Sequence, residues 1–151
     1  SLAFTGAFSV ITWAWVLDGN DRINITKRDT NNYAWRLFAV SKKLKLETTS
    51  DGITANASSV GSVVIENRWV HAGGVVIPND KIYLYADGVP DGTNAITTYY
   101  ASTEPIRIGW DKGDNFWHLG RMGEVWIFNR ALTALEMQNL FNETKGRYGG
   151  G

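Results

Sequence analysis

A chain of 151 residues fits one domain of ordinary size, and its fifteen Lys+Arg balance fifteen Asp+Glu to a formal net charge of zero. That balance excludes a general nucleic-acid binder, which needs a basic excess against phosphates. With no cysteine and only two histidines, His71 and His118, disulfides, thiolate zinc sites, cysteine nucleophiles and histidine-rich zinc centres drop out together.

Residues 1–17 carry no charge. The stretch lacks the basic start and small-residue cleavage site of a signal peptide, and it falls short of the roughly 20 residues of a spanning helix. Phe8, Val10, Thr12, Ala14 and Val16 alternate with Ser9, Ile11, Trp13, Trp15 and Leu17. Residues two apart share a strand face, so the pattern predicts a strand buried on one side and partly on the other. Further runs follow at 22–28, 33–40, 43–49, 62–66, 69–77, 81–86, 93–100, 106–110 and 121–128, separated by turn signals such as Ser50-Asp51-Gly52, Pro78-Asn79-Asp80 and Asp87-Gly88. Many short strands so spaced predict an all-β sandwich or barrel. Leu44 and Leu46 face inward between charged neighbours, Ile82 and Leu84 share a face opposite Tyr83 and Tyr85, and Asp87-Gly88 supplies the positive φ angles of a tight hairpin. Thr133 and Glu136 have capping-box spacing, with Leu132 and Met137 placed as a staple. Met137, Leu140 and Phe141 then predict one short helix over 134–142, set on the end of the sandwich. One domain over 1–148 and a glycine tail at 149–151 complete the division.

Two stretches carry a resemblance. Arg68-Trp69-Val70-His71-Ala72 with Lys81-Ile82-Tyr83-Leu84-Tyr85-Ala86-Asp87-Gly88 resembles the "W-x-H-v-A … k-l-Y-x-D-G" signature of laminin G-like domains. Ile106-Arg107-Ile108-Gly109, then Leu119-Gly120-Arg121-Met122-Gly123-Glu124-Val125-Trp126-Ile127-Phe128-Asn129-Arg130-Ala131-Leu132-Thr133 and Glu136, resembles their ending, and Phe8-Ser9-Val10-Ile11-Thr12-Trp13 is similar to their early strand. The resemblance implies a concanavalin A-like, two-sheet antiparallel jelly-roll sandwich with one short C-terminal helix. It also implies a non-catalytic module recognising a carbohydrate or glycoprotein, secreted or on a cell or virion surface, with calcium as a candidate cofactor. The alternative is a structural, adhesive or decorating domain of a larger extracellular or virion assembly with no sugar site. Family members carry a strand before the early "F-t-i-s-a-W" segment, whereas only residues 1–6 precede the matching part here. A sheet edge open to self-association or a neighbouring chain is therefore expected.

The fold class includes glucanases, whose Glu-x-Asp-x-x-Glu strand is absent here, as are a Gly-x-Ser-x-Gly elbow and a phosphate loop. No enzyme is expected. Asp18-Gly19-Asn20-Asp21 and the loop with Asp111, Asp114 and Asn115 supply the oxygens calcium prefers, and the second is the better candidate because Trp110 and Trp117 flank it. Trp13, Trp69 and Trp126 fall on core positions of the resemblance. Tyr33, Trp35, Tyr99, Trp110 and Trp117 are the candidate sugar-stacking rings, with Tyr33 and Trp35 read as one face of a strand and Asp111 and Asn115 as hydroxyl partners.

Overall fold

The N-terminal alternation forms β1, Phe8–Val16. The chain continues through β2 (Arg22–Lys27), β3 (Trp35–Val40), β4 (Lys43–Thr49), β5 (Ala55–Val64), β6 (Trp69–Val76), β7 (Lys81–Ala86) and β8 (Val89–Ala95). Three two-residue strands follow, β9 (Arg107–Ile108), β10 (Trp110–Asp111) and β11 (Phe116–Trp117), then β12 (Gly120–Phe128) and α1 (Ala134–Thr144). The computed structural model describes residues 4–17, 22–64 and 66–149, so the Asp18–Asp21 calcium candidate lies outside the described residues. One sheet runs β12-β1-β6-β7-β8, the other β5-β4-β3-β2-β9, and β10 and β11 form a separate hairpin. Among the described residues these strands pair antiparallel throughout.

Phe8, Val10, Ala14 and Val16 of β1 meet Trp35, Leu37, Ala39, Leu44 and Leu46 between the sheets, all fully buried. The other face of β1 is covered by α1. Ile11, Val75, Tyr85, Leu132 and Met137 make a second buried cluster there. Trp13 stacks on Phe141 and donates its indole N–H to Thr144 Oγ1 at 2.8 Å. The helix therefore lies across the outer face of the first sheet rather than on the end of the sandwich. Gly73 of β6 makes the approach feasible, since a Cβ there would sit 2.8 Å from Met137 Sδ. The capping box forms as expected, Thr133 Oγ1 accepting from the Glu136 amide and Glu136 accepting from the Thr133 amide.

Two strands begin earlier than their sequence signals. Asp51 Oδ1 accepts from the amides of Ile53 and Thr54, closing a local turn that releases the chain into β5 at Ala55 instead of 62. Asp87 and Gly88, at φ 52° and 77°, turn the chain so tightly that Ala86 pairs with Val89 and β8 starts before 93. One flank of the sandwich is stapled by side chains: Asp91 of β8 accepts from the amides of Ser62 and Val63, and Asn94 donates to the Ser58 carbonyl. At the opposite side of the first sheet, β12 pairs only with β1 among the described residues.

Candidate functional site

The β10–β11 hairpin rests on β2, the Thr26 hydroxyl donating to the Trp110 carbonyl at 3.3 Å. Trp110 pairs with Trp117 and Asp111 with Phe116, so cross-strand alternation gives the hairpin an indole face and a face shared by a carboxylate and a phenyl ring. The two indoles stack at 5.0 Å with 10° between their planes. Trp117 is 57% exposed and Phe116 39% exposed. The Arg107 guanidinium lies 5.6 Å from the Trp110 ring centroid.

The opposite face is locked electrostatically. Asp111 is fully buried, and its Oδ2 accepts from Arg28 at 3.0 Å and Arg36 at 3.1 Å. Its Oδ1 closes the turn by accepting from the amides of Gly113 and Asp114. Asp114 receives Arg28 through both terminal nitrogens, at 2.5 and 2.8 Å, and Arg36 at 2.7 Å. Those hydrogen bonds, Arg28 foremost, hold the Asp114 carboxyl below the usual carboxylate range. Arg36 and Glu47 are cross-strand partners on β3 and β4, and Arg36 Nε donates to Glu47 Oε2 at 2.8 Å. Burial pushes the Glu47 carboxyl up, but the bonds from Lys45 and Arg36 outweigh it and leave the group depressed. Lys112 ties the hairpin tip to Asp29.

The seven predicted ligand residues separate. Trp110, Asn115 and Trp117 lie together on the hairpin, whereas Asp111 is fully buried on its other face with both oxygens taken by Arg28, Arg36 and the turn amides, so it offers a sugar no hydroxyl partner. Trp35 does not join them: it is fully buried between the sheets, so no sugar reaches its ring. Tyr33 does not share its face either. The chain ahead of β3 is not extended strand, so the two-residue rule fails there. Tyr33 lies 3% exposed under Arg28, 4.8 Å from its guanidinium, donating its hydroxyl to Glu47 at 2.9 Å. Tyr99 packs on Phe8 and donates to the Phe4 carbonyl at 2.6 Å, and burial pushes its phenol up to about 12. Trp35 and Tyr33 are thus buried, and Tyr99 is half-buried with its hydroxyl bonded to the backbone. The residues that sequence reasoning missed are Arg28, Arg36 and Glu47; alternation along β3 and β4 carried the signal by placing Arg36 and Glu47 outward.

Asp111, Asp114 and Asn115 do not fit calcium. The ion takes 6–8 oxygen ligands, whereas both carboxylates here are occupied by guanidinium groups. Among the described residues no cluster of three or more His, Asp or Glu is placed to hold a metal.

The family model of laminin G-like domains, described as the concanavalin A-like lectin/glucanases superfamily, matches residues 1–138. The chain belongs to this family. A search of curated proteins found no match. Among solved structures, this laminin G-like domain is similar to the binding domain of Paraclostridial mosquitocidal protein 1, with a TM-score of 0.72 and 18% identity over 93% of this chain and 38% of that one. It is similar to botulinum neurotoxin type C, which enters cells in dependence on interaction with two ganglioside molecules, with a TM-score of 0.68 and 18% identity over 93% of this chain and 36% of that one. The receptor binding domain of the botulinum neurotoxin C/D mosaic serotype gives a TM-score of 0.68 and 12% identity over 91% of this chain and 36% of that one. At such identities the likeness shows the β-sandwich fold, and this chain spans little more than a third of those chains. No helix among the described residues is long and apolar enough to cross a membrane.

Proposed function

We propose that this laminin G-like domain is a non-catalytic module that binds a glycan at a cell or particle surface through the Trp110–Trp117 pair, without calcium at the adjoining loop. The carrying observation is the parallel-stacked indole pair, whose outer ring Trp117 is 57% exposed. Aromatic faces cover the apolar faces of sugar rings, and a few fixed polar groups add direction. Asn115, exposed in the hairpin turn, is the candidate for such a group, and the carboxylate–guanidinium lock beneath holds the pair in place before ligand arrives. The family, the similarity to the binding domain of Paraclostridial mosquitocidal protein 1 and that to the ganglioside-dependent botulinum neurotoxin type C support the reading. The carboxylates of the site support no hydrolysis, because Asp111 and Asp114 share two arginines instead of facing each other across a cleft. The test is a glycan array probed in calcium and again in EDTA, with wild type and Trp117→Ala. Binding that survives EDTA and disappears in the variant is the expected result.

One observation favours the second reading, a module docked to another chain: β12 pairs on one side only among the described residues. Light scattering separates the two, since strand addition at β12 predicts a particle larger than one chain, whereas glycan binding does not require one.

A further inference from the structure

The outer face of the first sheet continues past the helix. Trp15 of β1 is the cross-strand partner of Trp69 on β6 and of Arg121 on β12, so the three side chains form one row on that face. The last turn of chain brings Tyr148 against Trp13 at 4.6 Å and Trp69 at 4.8 Å, and coverage stops there. Beyond it lies a cleft of about 390 Å³ lined by Trp15, Leu17, Gly120 and Arg121. Trp69, the next side chain in the row, meets Trp15 edge to face at 6.1 Å. Trp15 and Trp69 are half-buried and Arg121 is exposed.

The arginine decides the chemistry. Arg28, Arg36, Arg68, Arg107, Arg130 and Arg147 each hold a carboxylate. Arg121 holds none among the described residues. A guanidinium left in solvent beside an indole floor suits a ligand with a carboxylate at one end and an apolar ring face at the other, since arginine binds carboxylate through two parallel hydrogen bonds. We propose that the Trp15–Trp69–Arg121 row is a second saccharide site, distinct from the hairpin, selective for a sugar bearing a carboxylate.

The test is calorimetric titration of the whole chain with N-acetylneuraminic acid, glucuronic acid and lactose, using wild type, Arg121→Gln, Arg121→Lys, Trp15→Ala and Trp117→Ala. At least one acidic sugar should bind at least tenfold more tightly than lactose. Arg121→Gln should remove that preference, Arg121→Lys should restore part of it, and Trp117→Ala should leave it intact. Which acidic sugar binds distinguishes a sialic from a uronic acid source. Because Arg121 is exposed, its variants report on binding even if Trp15→Ala fails to fold. Equal affinity for acidic and neutral sugars overturns the proposal, as does acidic binding unchanged in Arg121→Gln or lost in Trp117→Ala. Co-sedimentation with anionic phospholipid vesicles that depends on Trp15 and Arg121, with no sugar binding, would assign the row to a lipid surface instead.

Discussion

Arg28 reaches Asp111 and Asp114 with the same terminal nitrogen, 3.0 Å from the buried carboxylate and 2.5 Å from the more exposed one. That nitrogen joins the base of the hairpin to its tip. Replacing Asp111 with Asn leaves Arg28 and Arg36 short of a buried counter-charge, and breaking a pair of this kind costs about 3 kcal/mol. The expected outcome for Asp111→Asn is a lower urea midpoint and a changed fluorescence maximum from the Trp110–Trp117 pair. Unchanged values for both would show the lock to be dispensable. The depressed Asp114 carboxyl adds stability that is present above the unfolded carboxylate range and lost only as pH falls through its lowered folded value.

Trp117→Ala tests the hairpin differently. The ring is 57% exposed, so its loss should change stability by less than about 1 kcal/mol while weakening glycan affinity at least about tenfold. Thermal unfolding measured beside array binding checks both halves. Retained affinity would remove the indole pair from the ligand surface.

His71 predicts a pH dependence. It is fully buried among Trp13, Phe141 and Trp126, with neither ring nitrogen hydrogen-bonded within the described residues. Burial pushes it from 6.5 down to about 4, partly opposed by Asp87. A base whose folded pKa is lowered leaves the unfolded state holding more protons between the two values. Stability is therefore fully present above about pH 6.5 and falls as pH drops toward 4, by about 3 kcal/mol at most. His71→Gln should flatten that dependence in urea titrations at pH 7, 5.5 and 4.5; an unchanged slope would place the acid sensitivity elsewhere.

Gly120 tests the geometry of the outer row. Its φ is 149° and a Cβ there would lie 2.0 Å from the Trp15 carbonyl oxygen, a backbone atom with little room to move. Gly120→Ala should cost more than about 2 kcal/mol. A melting temperature within a degree of wild type would contradict this contact.

Much of this architecture was legible because local patterns agree with the global fold. The β1 alternation, Leu44 with Leu46, the Asp87-Gly88 turn and the Thr133–Glu136 box all appear where the pattern puts them. The sites were less legible because alternation sorts residues into two faces without saying which face meets solvent. Trp35 shares parity with Leu37 and Ala39, and that relation, more telling than its ring chemistry, put it in the core. Trp13 and Trp15 have the same parity, yet Trp13 is covered and Trp15 lines a cleft, because α1 and Tyr148 extend only so far across the sheet. The reach of a helix over a sheet is a tertiary fact. So is the meeting of Arg28 with Asp111, which lie 83 positions apart.

The first sheet seats β1 between β6 and β12, with Ser9 opposite Phe128 and the Ser9 hydroxyl bridging the Arg130 carbonyl and the Leu132 amide. Of the strands described, β1 is translated first and β12 last, so β1 waits for its partner. Until β12 clears the exit tunnel, the long apolar β1 has one flank without its partner, and this topology of distant contacts folds slowly once synthesis is done. Nascent chains halted before residue 120 should therefore be held by chaperones, whereas chains released after the helix should not.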